Sequence, residues 1–366
     1  MRSTSRRTVV AAALLTAIAL FGAACSSSKT STTTGTTAGG SSSNFDYSGL
    51  SGTLNGSGST FQQGFDEAAI DAFSNVAPDV TVNYGGGGSG KGKTDLANQV
   101  VQWAGSDSTI KDADLGTFKG GTVLYFPTVA APITVSYNLS GVDKLQLSGE
   151  TVAKIFAGSV TTWNDPAIAA DNSGVTLPST AITVVHRSDG SGTTNQFTKY
   201  LTTVDSTDWT LGSGDTVNWP ASTQAAEKNG GVAQSISQTS GAIGYVDFPD
   251  ASKAKLSFAS IKNKSGSYVA PSSASASAAL AGADVSPQLV VNALNASGAD
   301  AYPITAATYV FIYQKQPDAG IGNALKGWVN FLLTDAQSLA EPNNFAPLPP
   351  ALQQKALTQL GTLQIG

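Results

Sequence analysis

Short runs rich in β-branched residues alternate with stretches of helical period along most of the chain. Residues 80–84 read as a strand and 94–102 as the helix after it, and 182–186 and 193–201 repeat the pair. Such alternation predicts an α/β fold. In a further helical stretch, Phe61, Phe65, Ala68, Ala69, Ala72 and Phe73 share one face, and Thr60 with Gln63 has capping-box spacing. This places Thr60 at a helix start. Two apolar runs, 123–129 and 133–138, are broken by Ala130-Ala131-Pro132, and Pro303 precedes a strand-like run over 306–313. If the chain crosses between two bodies at these breaks, lobe I is discontinuous, 50–131 plus 303–366, and lobe II is the insert 132–302. Residues 270–283 are rich in Ala and Ser and read as a loop and surface helix with no chemical role. No repeat of fixed period is present.

The N-terminus changes this picture. Arg2, Arg6 and Arg7 precede an apolar or small stretch over 9–24, which predicts a signal peptide over residues 1–24. Cys25 follows and is the expected site of lipidation, with Gly22 standing where a lipoprotein signal usually has leucine. Arg6-Arg7 leaves both Sec and Tat export open. Residues 25–48 are mostly Ser, Thr and Gly, too poor in large apolar side chains to fold, and read as a tether. Roughly 315 residues remain, which suits two bodies better than one.

Cys25 is the only cysteine, so no disulfide forms within the chain, and no Cys/His cluster suggests a metal or cofactor. Loss of residues 1–24 removes three arginines and no acids, leaving 17 Lys+Arg against 25 Asp+Glu, a formal net charge of −8. An acidic body argues against nucleic acid as a partner and against long-range steering of anions. An anion would have to be held by local dipoles.

Three runs offer such dipoles: GSGST (56–60), GGGGSG (85–90) and RSDGSGT (187–193), each ahead of a helical pattern. Glycine lets backbone amides approach a ligand, hydroxyls add donors, and a helix N-terminus carries partial positive charge. The third run adds a guanidinium, Arg187, and a carboxylate able to hold it, Asp189. Asp107 follows the apolar stretch 100–105. The first two runs and Asp107 fall in lobe I and the third in lobe II, so a ligand would lie in the cleft between them.

With GSGSTF (56–61), VNYGGGGSG (82–90), GSD (105–107), FPTV (126–129), RSDGSGT (187–193), GAIGYV (241–246) and YPIT (302–305), the chain resembles the phosphate-binding proteins of bacterial phosphate-specific ABC importers. The resemblance spans nearly everything from Gly52 onward. It implies the two-lobed periplasmic-binding-protein fold of type II and a non-enzymatic receptor for inorganic phosphate. That receptor would be a monomer, anchored outside the cell membrane by lipid and serving the importer's permease and ATPase subunits. It also implies amide donors at Thr60 and Phe61, hydroxyl donors at Thr60 and Ser89, and further contacts from Ser191, Gly192 and Thr193. Arg187 would be the one cationic ligand, supported by Asp189, and Asp107 would take the proton of hydrogen phosphate.

Physical chemistry supports that last role separately. Phosphate keeps a proton near neutral pH and sulfate does not, so a carboxylate rewards the first and repels the second. The plain alternative is that Asp107 caps a loop. Lys91 is expected to face water, and His186, the only histidine, to pack at a strand end.

Two rival functions follow from the same residues. Residues 87–94, GGSGKGKT, match the P-loop pattern of nucleotide hydrolases, although a glycine-dense window raises the chance of accident. A secreted phosphate-ester hydrolase would need an activated nucleophile or metals. A lone histidine and the absence of a GxSxG elbow supply neither.

Overall fold

The structure is a computed structural model that describes residues 45–366. The expected signal peptide, Cys25 and most of the tether lie outside the described residues. The tether was expected to reach residue 48, but the folded body begins earlier. Tyr47 packs edge-on against Phe73 and Phe331, with ring centroids 5.8 and 6.1 Å away, and its hydroxyl donates to Asn330 Oδ1 at 3.1 Å. Among the described residues no helix is long and apolar enough to cross a membrane.

The α/β expectation is met. Strand β1 (Gly52–Gly58), helix α1 (Gln63–Val76), β2 (Val80–Gly86), α2 (Ser89–Ala97) and β3 (Trp103–Ser106) make a parallel unit, with β1 between β2 and β3. A long strand β4 (Val123–Tyr137) and helix α3 (Gly149–Ala157) follow. Next come β5 (Thr183–Arg187), α4 (Gly192–Val204), β6 (Gln224–Ala226), α5 (Lys228–Gln238) and β7 (Ala242–Asp247). The chain closes with β8 (Thr305–Tyr313), α6 (Ala319–Leu333) and α7 (Pro350–Leu360). The strands form one curled sheet in the order β2-β1-β3-β8-β4-β7-β5-β6. The Ala/Ser-rich stretch contains a helix, Ser273–Ala281, that buries Ala276, Ala279 and Leu280.

Three local expectations are corrected. The two apolar runs at 123–138 form one strand, with no break at Ala130-Ala131-Pro132. Proline lacks an N–H to give a ladder, and the strand changes neighbour where Pro132 stands. Residues 123–132 pair with β8, and 133–137 pair with β7. The Ile133 amide donates to Ile304 O at 2.7 Å, so the segments around 132 and 304 run side by side. Secondly, α2 starts at Ser89 and ends at Ala97, several residues ahead of the expected 94–102. Gly88, at φ 87°, ends the strand side of the turn in a conformation that favours glycine, and the helix begins at once. Thirdly, the Thr60/Gln63 capping box does not form. Helix α1 has Gln62 at its N-cap with no side-chain capping bond, and the Thr60 hydroxyl, two residues before it, accepts from the Asn229 amide at 3.3 Å.

Apolar packing fixes these elements. Phe65, Ala69 and Phe73 of α1 are buried, and Phe73 meets Trp328 and Phe331 of α6 at 5.3 and 5.2 Å between ring centroids. Trp163 and Trp209 are buried, while Trp219 is half-buried.

Candidate functional site

The site residues sit where strands end, as ligands of open α/β sheets generally do. Thr60 and Phe61 follow β1, Ser89 opens α2 after β2, Asp107 follows β3, and Arg187 ends β5. Ser191 is the N-cap of α4, its hydroxyl accepting from the Thr194 amide at 3.1 Å, and Gly192 and Thr193 are the first helical residues. The first amides of a helix have no intrahelical acceptor. Thr60, Phe61, Ser89, Asp107, Arg187, Ser191, Gly192 and Thr193 are all buried.

The structure brings these residues together from both ends of the sheet. Thr193 Oγ1 donates to Asp107 Oδ2 at 3.3 Å, and the Asp107 amide donates to Ser89 Oγ at 3.2 Å. Gly90 N donates to Gly190 O at 2.9 Å. Glycine is required at this closure. A Cβ on Gly192 would lie 2.5 Å from Ser89 Oγ and 2.8 Å from the Asp107 amide nitrogen, and one on Gly88 would lie 2.5 Å from Asp189 Oδ2.

Arg187 is held from two sides. Its Nε donates to Asp189 Oδ1 at 2.7 Å, its Nη2 donates to Asp189 Oδ2, and its Nη1 donates to Asn229 Oδ1 at 2.7 Å. A guanidinium has five N–H groups, so these three bonds leave two for a ligand. Burial pushes the Asp189 carboxyl up, but the bonds and charge of Arg187 outweigh it and hold the group below its ordinary value. The pair is therefore ionised at neutral pH, a fixed plane with its cation already oriented.

Asp107 behaves differently. Burial pushes its carboxyl up to about 6, against the opposing pull of the Ser59 hydroxyl, which donates to Oδ1 at 2.6 Å, and of the Arg187 charge. Two more carboxyls near it, Asp66 and Asp247, are fully buried and raised well above their usual range by desolvation. A proton is thus retained easily in this part of the molecule.

Several participants escaped the sequence reading. Ser59 lay inside the GSGST run but unassigned. It accepts from the Phe61 amide at 3.0 Å, so that amide, expected to face the anion, already has a partner. The Ser191 amide likewise donates to Asp215 O at 2.9 Å. Asn229, in the first turn of α5, links Thr60, Thr193 and Arg187, with its Nδ2 donating to Thr193 Oγ1 at 3.3 Å. Gln196 Nε2 donates to Asp107 O at 2.6 Å. Asn229 and Gln196 are singled out by distance, for nothing in their neighbours in sequence marks them.

The rival readings fare as follows. The amides of Gly87 and Gly88 both donate to Gly58 O at 2.8 Å, and Lys93, the lysine of the P-loop pattern, bonds Asp215 Oδ2 at 2.6 Å. A phosphate cradle needs those amides and that lysine free, so this loop is not one. His186 stacks on Trp219 at 4.8 Å, its Nδ1 meets Arg187 O at 2.9 Å, and burial lowers its pKa. That is the packing role expected of it. Lys91 points outward and pairs with Asp95 at 2.6 Å on its own helix. Among the described residues there is no His/Cys/Asp/Glu group able to hold a metal.

Comparison with known proteins places the chain. Residues 27–336 match the PBP superfamily domain, which defines its class. Phosphate-binding protein PstS 3 of Mycobacterium leprae is 33% identical over 84% of this chain and 85% of its own length. Phosphate-binding protein PstS of Pasteurella multocida is 36% identical over 77% of this chain and 82% of its own. The chain belongs to the PstS family of phosphate-binding proteins. Its fold is similar to that of a high-affinity periplasmic phosphate-binding protein solved with phosphate, at 24% identity and a TM-score of 0.70 over 84% of this chain and 93% of that one. A phosphate-binding protein from Stenotrophomonas maltophilia superposes with a TM-score of 0.67 at 20% identity, over 84% of this chain and 93% of that one.

Proposed function

We propose that this protein is a non-enzymatic receptor that captures inorganic phosphate outside the cytoplasm and delivers it to the permease and ATPase subunits of an ABC importer. It acts as a monomer, held to the membrane by lipid on Cys25. The family supports this reading, since relatives named for phosphate binding match most of the chain. One observation carries the assignment of ligand: a buried carboxyl, Asp107, stands among neutral hydroxyls beside a single oriented guanidinium. Hydroxyls and amides satisfy bare oxygens, Arg187 supplies the countercharge, and Asp107 accepts the proton that phosphate has and sulfate lacks.

Thr60, Phe61, Ser89, Asp107, Arg187, Ser191, Gly192 and Thr193 are the proposed ligands, with Asp189 in support. Since the amides of Phe61 and Ser191 and the hydroxyl proton of Thr193 have other partners, the Thr60 and Ser89 hydroxyls and the first amides of α4 carry more of the load. The lobes are proposed as 50–131 with 303–366 and as 132–302, a division that agrees with the change of strand neighbours at Pro132 and with the Ile133–Ile304 bond. Calorimetric titration of the purified protein with phosphate and sulfate tests the reading. Tight phosphate binding with weak sulfate binding at pH 8 is expected, and equal affinities would refute it.

A further inference from the structure

The lysine of the unused P-loop pattern has a defined partner, and that partner reaches the anion site without facing it. Asp215 lies in the loop between α4 and β6. Its Oδ2 accepts from Lys93 Nζ at 2.6 Å, and its Oδ1 accepts from Ser108 Oγ at 2.8 Å and Asn195 Nδ2 at 2.9 Å. Lys93 Nζ also donates to Ser108 Oγ at 2.9 Å and Thr109 O at 3.3 Å. The backbone carbonyl of Asp215 accepts from the Ser191 amide at 2.9 Å. One residue therefore grips the Ser191 loop and helix α4 on its own side, and α2 and the end of β3 on the other.

We propose that Lys93 and Asp215 are positioning residues that latch the Ser191 loop against the Ser89 and Asp107 wall and so set how long the captured anion is retained. The proposal rests on the phosphate-capture reading above. Lys93 and the groups that Asp215 holds are close in sequence to proposed ligands: Lys93 shares a helix with Ser89, Ser108 follows Asp107, and Asn195 shares a helix with Gly192 and Thr193. None is itself a proposed ligand. The Lys93 and Asp215 side chains are only 15% and 17% exposed. Truncating one partner of a pair this far from water shows mainly in the dissociation rate, and apparent affinity scales with the fraction of molecules in the closed form. The Lys91–Asp95 pair provides an internal contrast. Lys91 is 56% exposed and both residues lie on α2, so that pair joins nothing across the cleft.

The test compares phosphate release from the purified protein and its variants by stopped-flow, with affinity by calorimetry and thermal midpoints without phosphate. Lys93→Met is expected to release phosphate about tenfold faster at an unchanged midpoint. Lys93→Arg should recover most of the difference, and Lys91→Met should match wild type. If Lys93→Met does not fold, Ser108→Ala, which removes one bond to Asp215, is expected to give a smaller acceleration. Release from Lys93→Met, or from Ser108→Ala in its place, at the wild-type rate overturns the latch. So does a faster release matched by an equal loss in Lys91→Met. A wild-type protein that binds no phosphate overturns the capture reading, and the latch with it.

Discussion

Asp107 should make anion discrimination depend on pH, and the structure sets the size of the effect. Its carboxyl is pushed up to about 6 by burial, from an ordinary value near 3.8. A shift of about two units corresponds to about 3 kcal/mol between its two protonation states. Facing a fully deprotonated anion, the ionised carboxylate repels it, whereas the protonated acid can donate to it. At pH 8 about one carboxyl in a hundred carries a proton, against about nine in ten at pH 5, so sulfate should bind roughly a hundredfold more weakly at pH 8 than at pH 5. Phosphate brings its own proton and should lose far less over that range. Asp107→Asn cannot ionise, and its amide can always donate. Its sulfate affinity should be flat with pH and should approach, at pH 8, the wild-type value at pH 5. Calorimetry with sulfate from pH 5 to pH 8, in two buffers of different ionisation enthalpy, measures both the affinity and the proton taken up. Wild-type sulfate affinity that is equal at pH 5 and pH 8 would refute the reasoning.

Stability should follow the same group. The folded chain holds this proton more tightly than the unfolded chain, so the contribution is complete below about pH 4 and lost as pH rises through about 6. Asp66 and Asp247, also raised, act in the same direction, and Asp189, lowered, acts in the opposite one. Urea unfolding of wild type against Asp107→Asn isolates the term: without anion, the variant should gain about 3 kcal/mol on wild type between pH 4 and pH 8, and a constant difference would count against it. Gly192→Ala places a methyl 2.5 Å from Ser89 Oγ across the cleft, so thermal melting should hold within a few degrees while phosphate affinity falls about a hundredfold or more. Arg187→Ala should weaken phosphate binding by more than Ser191→Ala, since a charge-assisted bond is about twice as strong as a neutral one; titration of both variants checks the order. Phe73→Ala, in the aromatic cluster between α1 and α6, should cost about 3–5 kcal/mol in urea unfolding and leave phosphate affinity unchanged.

Much of the fold was legible because period and burial coincide. The face of α1 read from Phe65, Ala69 and Phe73 is the face that is buried. Glycine obscured α2, for its first residues, Ser89 to Lys93, have no apolar period and only the left-handed Gly88 marks the start. The broken strand at Pro132 was misread because proline normally interrupts a ladder, whereas here it falls where the ladder passes from one neighbour to the next. At the site, the glycine and hydroxyl runs identified the residues that meet. Asn229 and Asp215 were not visible, because their roles depend on side chains 42 residues from Arg187 and 122 from Lys93. Spacing along a chain carries no record of such contacts.

The shared strand has a mechanical corollary. Where β4 passes from β8 to β7, the segments around 132 and 304 run side by side, joined by Ile133 to Ile304 and by the pairing of Pro132 with Thr305. A two-stranded ribbon twists readily but cannot slide without breaking its register. On the proposed division into lobes, motion of one end against the other would be a rotation about this ribbon, in which the contacts from Gly90 with Gly190 to Lys93 with Asp215 form and part together.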